Sequence, residues 1–188
     1  MAKQGKGKKM GRREKPEFDQ KLLDLARVTR VVKGGRRFRF RATLVIGNRK
    51  GKVGVGVAKG SDVSDAIQKA FNDAKKNMVT IQLAGSTISH DVSAKLGSAK
   101  VLLKPASEGR GIIAGGAVRS VVNLLGVKDI VSKSLGASNP LNVARVTVKA
   151  LQQLKPPRKK ITDDQPASPT HQGVQPMTNN QSSEAVTA

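Results

Sequence analysis

The chain has 188 residues and carries 35 Lys or Arg against 13 Asp or Glu, a formal net charge of +22 at pH 7. An excess of this size makes an isolated chain repel itself and points to a polyanionic partner, a nucleic acid or an anionic membrane surface. The lack of Cys excludes a disulfide framework and a cysteine metal site and suits a reducing cytoplasm, and the scarcity of aromatic residues argues against a single-strand binder built on stacking platforms.

Residues 1–15, MAKQGKGKKMGRREK, are rich in Lys and Gly with almost no apolar side chains. They are expected to form a disordered basic arm, and they lack the apolar h-region of a secretory signal. Residues 22–32 are apolar and β-branched enough for a strand, with imperfect alternation. Lys33-Gly34-Gly35-Arg36 is a turn signal, because paired glycines supply positive φ. Phe38, Phe40, Ala42, Leu44 and Ile46 then keep period two, with Arg37, Arg39 and Arg41 between them. The pattern predicts one buried apolar face and, opposite it, a row of guanidinium groups. Residues 47–51 form a second turn, and Val53, Val55 and Val57 a third strand. Gly54 and Gly56 would lie on that strand's other face and allow close backbone approach.

Ser61 or Asp62 can cap a helix that presents Val63, Ile67, Ala70, Phe71 and Ala74 on one face. Val79, Ile81 and Leu83 read as a further strand. A second unit begins near Gly85, with strands expected at Ile88-His90-Val92 and at Val101-Leu103. The glycine-rich residues 109–116 lead into a helix with Val118, Val121, Val122 and Leu125. A short strand is expected at residues 129–135. Asn139-Pro140 supplies a polar cap and a first-turn proline for a last helix, carrying Leu141, Ala144, Thr147, Val148 and Leu151 and ending before Pro156. Residues 161–188 contain no Lys or Arg, are rich in polar residues and Pro, and are expected to be disordered. The division is thus a basic arm over 1–15, an antiparallel sheet with one helix over 16–84, an α/β unit over 85–155 and a polar tail over 156–188. No window approaches the ~18 apolar residues of a membrane span, so no membrane partner is expected.

The strongest functional signal is residues 27–52, which hold ten Lys or Arg and no Asp or Glu. Arg27, Arg30, Lys33, Arg36, Arg37, Arg39 and Arg41 surround the first turn, with Gly34 and Gly35 at its tip and Thr29 within the hairpin. Arg49, Lys50 and Lys52 repeat the chemistry at the second turn. Guanidinium forks match phosphate oxygens, and glycine amides at a tight turn approach a nucleic-acid backbone closely. With aromatic residues at 2%, backbone and shape recognition of folded RNA or duplex is expected. Enzymatic patterns fail. Gly54 and Gly56 begin a GxGxxG spacing, but Lys59 stands in its third position, and Lys59-Gly60-Ser61 inverts the order of a phosphate-loop ending. The segment 109–116 is an anion cradle in principle, but close packing of backbone is favoured, since Glu108 and Asp129 look isolated. His90 and His171 form no ligand or triad spacing, so neither a catalytic residue, a metal nor a cofactor is expected.

VTRVVKGGRRFRF at residues 28–40, AIQKAFNDAKKNM at 66–78, PASEGRGIIAGGAVRSV at 105–121 and SNPLNVARVTVKAL at 138–151 resemble the bacterial-type small-subunit ribosomal protein five family. The resemblance covers the folded region and leaves out both tails. It implies an α+β protein: an N-terminal domain like the double-stranded-RNA-binding fold, and a C-terminal α/β two-layer domain kin in fold to small-molecule kinases. It implies a structural, non-catalytic role on small-subunit rRNA, ribosome-bound in the cytoplasm. Contacts would be made with ribosomal proteins four and eight of that subunit and near the region where mRNA enters, with no homo-oligomer, and with effects on translational accuracy. Residues 27–35 match the family hairpin that reaches RNA near the spectinomycin site. Gly111 and Arg119 match positions near the contact with ribosomal protein four. A small-molecule kinase and a free-standing duplex-RNA or DNA regulator are the competing classes.

Overall fold

The computed structural model describes residues 17–155. The basic arm and polar tail expected from the sequence lie outside the described residues.

β1 (Asp19–Val32), β2 (Gly35–Gly47), β3 (Lys52–Gly60) and β4 (Met78–Thr80) form an antiparallel sheet in the order β1-β2-β3-β4. The register of β1 against β2 shifts between Leu22 and Asp24. This irregularity is the physical reason for the imperfect alternation of residues 22–32, because one extra residue reverses the facing of everything beyond it. α1 (Val63–Lys76) lies across one face. Its buried stripe is Ala66, Ala70 and Ala74, with Ile67 and Phe71 only half-buried at its flank. Small residues meet small residues there. A Cβ on Gly54 would collide with the Ala74 carbonyl oxygen, and one on Gly56 with the Ala70 carbonyl oxygen. The Gly-Val alternation is therefore a helix seat, which answers the nucleotide-loop pattern it imitates. Asp62 is the N-cap residue, but its side chain accepts no capping hydrogen bond.

β5 (Val92–Leu96), β6 (Ala99–Pro105), β7 (Ile112–Ile113) and β8 (Ile130–Gly136) form a second sheet in the order β5-β6-β8-β7. β7 and β8 run parallel and the other pairs antiparallel. α2 (Gly116–Leu125) and α3 (Pro140–Gln152) cover one side. α3 starts as expected: the Asn139 side chain accepts from the Leu141 amide at 3.1 Å, with Pro140 in the first turn. The expected α+β class is observed, with an antiparallel sheet and helix followed by a mixed sheet and helices.

Two expected strands differ, and one strand forms where none was expected. The fourth strand of the first sheet, expected at Val79, Ile81 and Leu83, is only Met78–Thr80, and Ile81 is buried outside it. Ile88 and His90 are not in a strand, since the backbone around them turns. Ala84 bridges Thr87 across Gly85 at φ +66°, and the Ser86 carbonyl accepts from both the Lys128 and Asp129 amides. Ile88 is buried all the same, so its apolar character reports burial and not strand geometry. The glycine-rich run, expected only to lead into a helix, contains the two-residue β7.

The two sheets share one core. Val45, Val53 and Val55 belong to the same buried cluster as Val101, Leu103, Val118, Val121, Leu125, Ile130 and Leu151. On the opposite face, Ala42, Leu44 and Ile46 cluster with the alanines of α1. The inner half of β2 is thus buried on both faces, each large side chain contributing about 1.5–3 kcal/mol on burial. A backbone joint adds to this. The Arg49 amide donates to the Leu124 carbonyl at 2.9 Å and the Gly51 amide to the Leu125 carbonyl at 3.0 Å, so the second turn caps the end of α2. Gly126 takes φ +102° at that helix end, where a Cβ would meet the Arg49 carbonyl oxygen.

Candidate nucleic-acid interface

Beyond Ala42 the hairpin of β1 and β2 leaves the core, and nearly every residue from Thr29 to Arg39 is exposed. The register fixes which side chains share a face. Arg30 stands opposite Arg37, Val28 opposite Arg39, Ala26 opposite Arg41, and Arg41 opposite Lys59 of β3. With period two, Arg30, Arg37, Arg39, Arg41 and Lys59 line one face. A groove of about 490 Å³ lies there, lined by Val28, Thr29, Arg30, Val32, Arg37, Arg39 and Lys59. It has cations and no carboxylate in its lining.

The row is not uniform. Arg41, at its base, lies 3.7 Å from the Asp24 carboxylate, and its Nε is buried without a partner. Arg30, Arg37 and Arg39 meet no acidic partner among the described residues. Directly opposed like charges are unfavourable in a sheet, so the Arg30–Arg37 pair is costly unless an anion lies between.

The reverse face departs from expectation. Phe38, expected in the core, is 46% exposed, because no element covers the sheet so far from α1. The Arg27 guanidinium sits 3.7 Å over the Phe38 ring, a cation–π contact across the strands. Arg27 and Arg36 therefore belong to this side, with Thr29 and the exposed Val31. Lys33, Gly34 and Gly35 form the tip. Only Gly35 has positive φ, +136°; Gly34 has ordinary geometry, which corrects the expectation that both glycines supply it.

Arg49, Lys50 and Lys52 are not part of this surface. They stand at the other end of β2, 13 residues long, so about 40 Å from the tip at the usual strand rise. Arg49 takes φ +55° and its Nε bonds the Asp19 carboxylate at 2.8 Å, while the Asn48 side chain accepts from the Lys50 and Lys52 amides. The main role of this turn visible in the fold is to close onto α2. Lys50 and Lys52 remain exposed.

Gly111 immediately precedes β7 at φ +75°, and its amide donates to Asp129 Oδ1 at 2.8 Å. Asp129 is 4% exposed. It is a buried anchor of the loop, which corrects the view of it as isolated. Arg119 is exposed on α2. Sequence reasoning missed Lys59 as a member of the basic face, and only the strand register brings it beside Arg41. No group of three or more His, Asp or Glu that could hold a metal occurs among the described residues.

Fold and site together define a basic, two-sheet α+β protein with an exposed ribbon of arginines. Residues 18–82 match the family model described as ribosomal protein S5, N-terminal domain, and residues 94–164 match that for the ribosomal protein S5, C-terminal domain. The small ribosomal subunit protein uS5 of Campylobacter jejuni subsp. jejuni strain 81-176 is 56% identical over 146 residues, which cover 78% of this chain and 99% of that protein. The proteins of the same name from strains 81116 and RM1221 match to the same extent. The chain belongs to the ribosomal protein S5 family.

Proposed function

We propose that this chain is a structural constituent of the small ribosomal subunit that holds rRNA through the β1–β2 hairpin. It is ribosome-bound in the cytoplasm, and its chemistry is that of binding, without a catalytic centre. The observation that carries the reading is the groove lined by Arg30, Arg37, Arg39 and Lys59, which has no acidic lining residue. Phosphate oxygens are the partner that relieves such a surface. Gly34 and Gly35 at the tip admit close approach of an RNA backbone, and Arg27 on Phe38 stiffens the reverse side.

The family resemblance supports the finer assignments. Residues 27–35 lie against RNA, and Gly111 with Arg119 faces ribosomal protein four, in a loop whose shape Asp129 fixes. Ribosomal protein eight and the region where mRNA enters complete the surroundings, and support of assembly and accuracy follows from those contacts. The boundary between the two domains lies near residues 84 and 85, in the turn that links the sheets.

A tagged copy of the chain, expressed in bacteria and run on a sucrose gradient, tests the reading. It is expected in the small-subunit and whole-ribosome fractions. Recovery at the top of the gradient as free protein, in cells with intact ribosomes, overturns it.

A further inference from the structure

We infer that the open face of the second sheet is a further surface for RNA phosphodiester backbone, carried by Lys95, Lys100, Lys104 and Lys133. The inference extends the rRNA-binding reading and relies on it for the nature of the partner.

α2 and α3 cover one side of the sheet, where Val92, Ala94, Val101, Leu103 and Ile130 are buried. Period two sends the alternate residues to the other side, and nothing among the described residues covers them. Lys95 of β5 stands directly opposite Lys100 of β6, and Lys133 of β8 is opposite Leu102. Lys104 follows Lys100 on the same face of β6, opposite Val131. All four lysines are exposed. The Lys149 ammonium donates to the Lys95 carbonyl at 3.4 Å, bringing a fifth positive charge to that edge. Among the described residues, the only carboxylate paired with any of them is Asp91, 3.5 Å from Lys104 and itself exposed. An exposed pair of that kind is worth little. The face therefore keeps one like-charge pair, Lys95 and Lys100, directly opposed, a destabilising arrangement in a sheet, and gathers Lys104 and Lys133 beside it with almost no internal compensation.

The composition of the face chooses between a protein and a nucleic acid. Protein interfaces are enriched in aromatic residues, Met and Arg at their centre and depleted in Lys. This face has none of the first three and four of the last. Interfaces with nucleic acid are far more positive. The interleaved Leu102, Val131 and Leu135 offer a surface along which lysine stems can lie while their ammonium groups reach outward. No basic run announces the cluster in the sequence, because its members are spread between residues 95 and 133 and meet only through strand pairing.

The test uses the full chain and a transcript of small-subunit rRNA, with affinity measured over a range of salt concentrations. Three proteins are compared with the parent: K95Q/K100Q/K104Q/K133Q, the hairpin variant R30Q/R37Q/R39Q, and their combination. Each lost phosphate contact removes about 0.9 from the slope of log affinity against log salt, so the loss of four lysines is expected to lower it by about 3.6 and to weaken binding at least tenfold. It should fold normally and melt no lower than the parent, since it removes repulsion. The two sets of changes should weaken binding independently. A folded lysine variant with the parent's affinity and slope overturns the inference. Loss in the lysine variant with none in the hairpin variant leaves this inference standing and removes the hairpin from the proposed function; the converse result does the reverse.

A second measurement needs no loss of binding. Because the chain has no Cys, K100C gives a single attachment point for an iron chelate that generates hydroxyl radicals in reconstituted subunits. Cleavage of rRNA around the tether is expected. Cleavage confined to a neighbouring protein means that the face holds a protein, and the inference fails.

Discussion

The Gly111 amide donates to the Asp129 carboxylate over 2.8 Å, and that bond ties the glycine-rich loop to the residue just before β8. Asp129 is buried, so the bond is shielded from water. Asp129→Ala leaves a donor in a half-buried loop without its acceptor and should cost about 1–3 kcal/mol. Asp129→Asn keeps an oxygen in place and should cost less. Urea unfolding measures the difference, and limited proteolysis should show faster cutting within residues 106–115 for the alanine variant. Equal stability and equal cleavage in both variants would mean that the loop holds its shape without Asp129.

The two glycines of the hairpin tip differ in conformation and should differ in tolerance. Gly35 stands at φ +136°, where a side chain is strained, and Gly34 does not. Neither has any atom within 4 Å of an added Cβ. Gly35→Ala should therefore destabilise by about 1–3 kcal/mol through backbone strain alone. Gly34→Ala should change stability by less than about 0.5 kcal/mol. Thermal unfolding of the two variants gives the comparison, and identical melting temperatures would contradict it.

Val45, Val53 and Val55 of the first sheet lie in one cluster with Val121 and Leu125 of α2. Residues 17–155 are accordingly expected to unfold as a single cooperative step, with calorimetric and van't Hoff enthalpies in agreement. Leu125→Ala, at a fully buried position, should lower that step by about 2–5 kcal/mol without splitting it. Two resolved transitions in the parent protein would show that the sheets are stable apart.

Asp65 lies in the first turn of α1, and its carboxyl is held below its ordinary value of 3.8, chiefly by the hydrogen bond from Lys69. A carboxyl whose folded value is lowered adds stability above the unfolded value, and loses that contribution as pH falls through the folded value. Asp65→Asn should therefore melt slightly below the parent at neutral pH. The gap should close as the pH drops below 3.8, and a gap that widens in acid would have the wrong sign. Melting curves at several pH values decide this.

Much of the site was legible in the chain. The alternation of Arg37, Arg39 and Arg41 with Phe38 and Phe40 survives as two faces of one strand, because facing in a strand is a local property. Burial is not local, and there the reading slipped. Phe38 has the same pattern as Leu44 but is exposed, since α1 reaches only the inner half of β2. Arg49 has the same composition signal as Arg37, yet its turn closes on the last carbonyls of α2 and its side chain pairs with Asp19. Asp129 looked isolated because Gly111, its partner, lies 18 residues away.

By itself, the sequence determined the charge balance, the period-two ribbon of arginines, the close backbone approach allowed at Gly54 and Gly56, the cap at Asn139 and Pro140, and through its motifs the family. Each depends on residues close together in the chain, where propensity and spacing act directly. Tertiary structure alone decided that Lys59 joins the arginine row, that Arg49 leaves it, that Val45 and Val55 serve a core shared by both sheets, and that four dispersed lysines meet on one open face. Those outcomes depend on strand register and on which element covers which face, and they follow from minimising exposed apolar surface over the whole chain at once.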